Sequence, residues 1–215
     1  MSRLFLILLL LSWTSVAGAE PCGKARRPIK MSVPDGANLK KPKVVNLDDL
    51  LKMPDPDPKV TKNDARFQDN RIPLFSNPRG LKEGDIVTVT GWLHLVAFES
   101  DDTDYHIQIS GSQESGDNCL IVEVPEPGCV ASADLKPDFQ AVRQWVKDKL
   151  LHDVNKEPSQ SGSVMQHPPF VQVTGQLFYD DAHVGDQPRG KKKMHAATLW
   201  EVHPITSLNF AAKPK

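Results

Sequence analysis

The side chains best suited to chemistry sit on three consecutive alternating segments. Residues 86–98 (IVTVTGWLHLVAF) place Val87, Val89, Leu93 and Leu95 on one face and Thr88, Thr90, Trp92 and His94 on the other. That is the period-2 signature of a half-buried strand. Residues 104–110 put Tyr105, Ile107 and Ile109 inward with His106 and Gln108 outward. Residues 119–124 put Leu120, Val122 and Val124 inward with Ile121 and Glu123 outward. Trp92, His94, His106, Gln108 and Glu123 therefore form the candidate ligand-binding face. With the hairpins in register, His94, His106 and Glu123 offer two imidazoles and a carboxylate, a donor set that suits zinc or iron(II). Glu201 and His203 project the same way from the last strand, and Asp104, Asp181, His183 and His195 are candidates from adjoining loops. The same residues also fit a plain polar sheet face, whose cross-strand His–Glu pairs contribute only about 0.2–1 kcal/mol each. No H-E-x-x-H spacing sets two ligands on one element. The sequence thus assigns no cofactor and leaves zinc or another divalent ion as the alternative.

Other motifs fall away on context. The string from Gly185 to Lys192 (GDQPRGKK) matches the G-x-x-x-x-G-K of a phosphate-binding loop. Lys192, however, stands where the magnesium-holding hydroxyl belongs, and a strand rather than a helix follows. There is no G-x-S-x-G and no Cys/His nucleophile signature, so no catalytic residue is assigned. Lys191, Lys192 and Lys193 lie between the last two strands, whereas Glu99, Asp101, Asp102 and Asp104 make the first inter-strand loop acidic. Both charge runs read first as solvated loop tips.

The rest of the chain must position these residues, and it divides into three parts. Residues 1–19 carry Arg3, the apolar run 4–11 and the small-residue end Ala17-Gly18-Ala19. This is the three-part pattern of a secretory signal peptide, with cleavage expected after Ala19. The apolar stretch is shorter than the roughly 20 residues of a spanning helix, so no membrane span is expected after the leader is removed. Periplasmic or extracellular export permits disulfides. Of Cys22, Cys119 and Cys129, the last two flank one strand and the Pro125–Gly128 turn and are the expected pair, leaving Cys22 over. Residues 20–80 hold 9 of the 18 prolines and carry 13 basic against 8 acidic residues, net +5. Proline at this density prevents regular structure, so 20–80 reads as an extended arm, solvated over 20–60 and partly packed from Phe67 to Phe75. Residues 81–215 form the domain proper, with 12 basic and 19 acidic residues, net −7.

Within that domain a helix is expected at about 134–151, with Phe139, Val142, Trp145, Val146 and Leu150 at helical spacing and Asp134 as its cap. Strands follow at about 169–179 and 197–207. Three strands, a helix and two strands match the OB-fold, a five-stranded Greek-key barrel. Gly91, inside the first strand, suits the bulge or sharp coil that such a barrel needs. The segments GDIVTVTGWLHLV, DYHIQIS, CLIVEVPEPGCV, VQVTGQLFYDDAHVG and ATLWEVHPITSL resemble those of exported bacterial OB-fold-like proteins of unassigned function. The resemblance covers about residues 71–208 and implies a mainly β fold and an exported location, with no catalytic residues to carry over. The expected function is a binding module that recognises an oligosaccharide, a peptide or a protein partner through its outer face and two loops. The alternatives are a metal-dependent hydrolase using His94, His106 and Glu123 with Asp104 or His183 assisting, and a nucleic-acid-binding barrel. The acidic balance of the domain disfavours nucleic acid.

Overall fold

The computed structural model describes residues 22–130 and 132–214. The expected leader, 1–19, and its cleavage point lie outside the described residues. Five strands, β1 (Ile86–Phe98), β2 (Tyr105–Ser110), β3 (Cys119–Val124), β4 (Phe170–Tyr179) and β5 (Ala196–Phe210), close into a barrel. Around the barrel the order is β1-β2-β3-β5-β4 and back to β1. The β3–β5 pair is parallel and the other four are antiparallel. Two short strands, Lys43–Val44 and Ser163–Val164, pair with β1 as well.

The interior is what fixes the register. Val87, Val89, Leu93 and Val96 of β1 meet Tyr105, Ile107 and Ile109 of β2 and Leu120, Val122 and Val124 of β3. From β4 and β5 come Val171, Val173, Leu177, Trp200, Val202 and Ile205. Each fully buried aliphatic side chain is worth about 1.5–3 kcal/mol. A one-residue slip would send such a set outward and bring its polar alternates in. The alternation expected through β1 breaks once. A bulge between Leu93 and Leu95 adds a residue and reverses the inward–outward phase. Leu95, expected inside, packs outside with Ala97 and Met194, while Val96 takes the inward position. Gly91 lies in regular pairing with Val171. Gly175 is the glycine that the barrel requires, because a Cβ there would come within 2.4 Å of the Pro204 carbonyl oxygen where β4 and β5 shift register.

A helix of 15 residues separates β3 from β4: α-helical over Lys136–Trp145, with a π turn over Val146–Leu150. Its start is capped by no side chain; Leu135, not Asp134, occupies the cap position. Phe139, Val142 and Val146 are buried in the core, and Trp145 is half-buried against Phe210, ring centroids 4.9 Å apart. The arm packs on the barrel along most of its length. Two short helices, Arg27–Lys30 and Leu47–Leu51, interrupt it, the second capped by Asn46. Leu47, Leu50, Leu51, Met53 and Val60, within the stretch expected to be solvated, are buried in the barrel's own core cluster, together with Phe67 and Ile72. Prolines stop this stretch from forming long elements but leave its apolar side chains free to pack.

One side chain clamps the arm. Arg26, 1% exposed, donates Nη1 and Nη2 to the two Glu83 carboxylate oxygens at 2.7 Å each. It also donates to the carbonyl oxygens of Phe67 (2.9 Å), Asn70 (3.0 Å) and Tyr179 (2.7 Å). A covalent tie sits beside this clamp, and it corrects the expected pairing. Cys22, not Cys119, is bonded to Cys129. Cys119 opens β3, and five steps of extended chain carry Val124 about 16 Å from it. The chain then turns through Pro127–Cys129 beyond that far end, out of the roughly 7 Å Cα reach of a bridge to Cys119. Among the described residues no helix is long and apolar enough to cross a membrane.

The clamp has a direct test. Arg26→Ala leaves the buried Glu83 without its ion-pair partner, a change that costs about 3–5 kcal/mol. Urea unfolding of the variant should show a loss of that size; a loss under about 1 kcal/mol would mean that the arm is held by its apolar contacts alone.

Candidate functional site

The strand register assembles a polar row on the outside of the barrel. Antiparallel pairing of β2 with β3 sets His106 opposite Glu123. Parallel pairing of β3 with β5 sets Ile121 beside Glu201 and Val122 beside Val202, which carries Glu123 next to His203. Opposite His106 on β1 stands Ala97. The result is a continuous line of His106, Glu123 and His203, with Asp104 just ahead of β2 and Glu201 two residues before His203.

The distances describe two layers. In the outer layer, His106 Nδ1 lies 2.8 Å from Glu123 Oε1, and its Nε2 lies 3.1 Å from Gln108 Oε1. Gln108 also accepts from the Lys191 backbone N–H (2.7 Å) and donates to the Met194 carbonyl (3.0 Å), tying the β4–β5 loop to the sheet. Gly190, between Arg189 and Lys191, has φ +125°, and a Cβ there would collide with the Met194 carbonyl oxygen, so this tight crossing needs glycine. In the inner layer, His203 is fully buried. Its Nε2 lies 3.2 Å from Asp104 Oδ2, and its Nδ1 lies 3.1 Å from Glu123 Oε2 and 3.4 Å from Glu201 Oε2. These are ion-pair distances, yet both His203 nitrogens, both Asp104 oxygens and Glu201 Oε2 complete no hydrogen bond. Arg189 bridges Asp180 and Glu201. Phe178 rests against His203, centroids 5.5 Å apart, and carries Arg26 and Lys30 over its ring.

Electrostatics follow from this crowding. Burial works to lower the His203 imidazole, but Asp104, Glu123 and Glu201 around it prevail and raise it well above its ordinary range. Burial likewise opposes the charged form of His106, and Glu123 outweighs it, so that ring is raised too. Glu123, pressed upward by burial, is held well below the usual carboxylate range by His106 and His203. Asp102, at the rim, is pushed up to about 7 by burial and then by Asp104 and Glu123, against the pull of Lys30 and His203. The inner layer thus sets one buried imidazole among three carboxyl groups.

Above the row lies a cleft of about 370 Å³, lined by Lys30, Glu99, Asp102, His106, Glu123, Asp180, His183, Arg189 and Lys191 among others. Its rim is crossed by two pairs: Lys191 with Glu99 at 3.0 Å and Lys30 with Asp102 at 3.8 Å. A larger depression, about 800 Å³, runs beside the 136–150 helix between Glu126 and Glu157. Four of its charged side chains are paired, Arg143 with Glu126 and Lys147 with Glu157.

The residues expected from sequence divide accordingly. His106, Gln108, Glu123 and Asp104 come together at the row. His94 does not reach it: its Nε2 meets the Ser112 carbonyl at 2.8 Å and the Ser110 hydroxyl at 3.1 Å, because the β1 bulge separates it from the row. Trp92 is buried edge-on against Phe170 with Lys213 over its ring. Asp181 turns away to accept from the Asp64 backbone N–H at 2.9 Å. His183 stands half-exposed at the rim, 3.1 Å from Asp186. His195 is exposed on Asp117 at 2.9 Å, apart from the cleft. Lys30 and Arg189 join the site without having been marked by any motif. Lys30 came from a stretch read as linker, and Arg189 from a rejected loop motif. Comparison with known proteins adds no name to this geometry: no family model matches the chain, and no curated protein and no solved structure matches it.

Cys119, the free cysteine, borders the row through Gln108, whose Nε2 lies 3.2 Å from its Sγ. Burial pushes its thiol up to about 11, so little thiolate forms near neutrality. A disulfide-exchange reagent at pH 8 should leave the native protein unlabelled over minutes and label one thiol after denaturation without reductant. Complete labelling of the native protein within seconds would contradict this environment.

Proposed function

We propose that the chain is an OB-like binding module of the cell exterior, and that the cleft over His106 and Glu123 holds the charged end of a peptide. One observation carries the reading. In five-stranded Greek-key barrels the ligand face is that of strands two and three, framed by the loops between strands one and two and between strands four and five. Here His106 of β2 and Glu123 of β3 floor the cleft, Glu99 to Asp102 wall one side and Asp180 to Lys191 the other. The barrel order, the parallel β3–β5 pair and the helix between β3 and β4 support the OB-like assignment. The leader-like start of the chain and the Cys22–Cys129 bridge support export.

The chemistry of the lining selects the ligand class. Carboxylates and ammonium or guanidinium groups line the cleft, and among the described residues no Phe, Tyr or Trp does. A saccharide or a nucleic-acid base therefore finds no indole or phenyl stacking platform. A peptide end carries an ammonium or a carboxylate beside backbone amides, and both signs have partners here. The rim pair Lys191–Glu99 involves partly exposed groups, worth about 0–1 kcal/mol, so a ligand displaces it cheaply. His106, buried and held between Glu123 and Gln108, keeps the floor rigid while the rim adapts.

Backbone NMR of the mature protein titrated with short peptides tests this. Tripeptides with free termini should shift the amides of residues 99–108 and 180–191, and the same peptides with blocked termini should not. The reading is overturned if free-terminus peptides shift neither segment, or if an oligosaccharide or single-stranded DNA shifts both where peptides do not.

A further inference from the structure

The geometry points to a binding site for one first-row divalent cation, zinc or manganese class, in the inner layer behind the cleft floor, held by Asp104, Glu123 and His203. This goes beyond the peptide-binding reading and does not depend on it. One carboxylate oxygen each from Asp104 and Glu123 and one ring nitrogen of His203 all lie within 4.8 Å of one another. Ligand atoms about 2.0–2.2 Å from a zinc-like ion stand roughly 3–4.5 Å apart; Asp104 Oδ2 lies at Nε2 and Glu123 Oε2 at Nδ1, so an ion on one ring nitrogen draws across the carboxylate that now faces the other. Two oxygens and one imidazole nitrogen form the mixed donor set that suits zinc or manganese rather than calcium, which takes 6–8 oxygens.

Three further observations support a site rather than a chance cluster. First, the donors are unspent. Asp104 and His203 are fully buried, and both oxygens of the one and both nitrogens of the other complete no hydrogen bond. Buried polar atoms are otherwise almost always satisfied, and a metal ion would take one atom from each of the three residues, leaving the second His203 nitrogen to a neighbouring carboxylate. Secondly, Glu123 is aimed. His106 holds its Oε1 at 2.8 Å, leaving Oε2 turned to His203, the outer-shell support that orients metal-binding carboxylates. Thirdly, negative charge is concentrated here. Four buried carboxyl groups, Asp104, Glu123, Asp180 and Glu201, lie around His203 and Arg189, and buried charges are tolerated only when paired or coordinating a metal. Entry is through the cleft, whose lining includes Glu123 itself and whose rim carries Glu99, Asp101 and Asp102.

The probe is the metal alone, so the result stands whether or not a peptide occupies the cleft. Chelator-stripped mature protein is titrated calorimetrically with Zn²⁺ and with Mn²⁺, and bound metal is counted by elemental analysis after desalting. One equivalent should bind, with Ca²⁺ unable to compete at the same concentration. Asp104→Asn and Glu123→Gln, which keep side-chain size, should each weaken binding by at least about tenfold. His195→Ala, removing an exposed imidazole away from the cleft, should leave it unchanged. Should the row variants fail to fold, Mn²⁺ added to wild type decides instead: its paramagnetism should broaden the amides of residues 104, 123 and 203 while sparing 195. Zero equivalents in wild type overturn the site. So does undiminished binding in folded Asp104→Asn and Glu123→Gln, or broadening centred on exposed histidines.

Discussion

The bidentate pairing of Arg26 with Glu83 is the contact on which the rest of the molecule depends. It fastens the arm to the barrel at the end of β4, through Glu83 and the Tyr179 carbonyl. That attachment sets Arg26 and Lys30 over the Phe178 ring, and Phe178 in turn covers His203. An outer barrel face would ordinarily meet water, and a His–Glu row on it would be a weak surface feature. Here the row is buried, and its charges interact in a poorly screened environment. The Cys22–Cys129 bridge, closing a separation of 107 residues, holds the arm's start in place. The arm is thus part of the site's construction.

Burial then decides the chemistry. An isolated imidazole in this position would resist protonation, and isolated carboxylates would resist ionisation. Here Asp104, Glu123 and Glu201 surround His203 closely enough that mutual attraction prevails over desolvation in both directions. The arrangement remains imperfect, because ion-pair distances without completed hydrogen bonds leave donors and acceptors unspent. Half-satisfied buried networks are costly, which separates this centre from the fully bonded Arg26 clamp a short distance away. The clamp has the geometry of a structural device; the centre leaves buried polar atoms without completed hydrogen bonds.

The sequence made legible what depends on local alternation. β2 and β3 follow a strict two-residue period, so the outward placing of His106, Gln108 and Glu123, and their meeting once the hairpin paired, followed from side-chain pattern alone. The helix and the five-strand order were legible for the same reason. His94 was misplaced because the bulge at Leu93–Leu95 arises from pairing with Ile109 and Gln108, and no residue in β1 announces it. The packing of Leu47, Leu50 and Leu51 was signalled by Asn46 followed by a short apolar repeat, but proline density masked it. Arg26 left no local signal: its partners lie 57 and 153 residues away, and one arginine in a basic stretch looks like any other. The cysteine pairing failed on distance, since nearness in sequence across an extended strand is separation in space.

The central claim is that the covered row is a cation site rather than a closed knot of imidazolium and carboxylates. Anomalous diffraction from crystals of the protein grown with Mn²⁺ tests it most directly. The account predicts one strong anomalous peak among Asp104, Glu123 and His203, at bonding distance from an atom of each and absent from crystals grown with chelator. A map with no peak there, with His203 still seated between the carboxylates at unchanged distances, would contradict it.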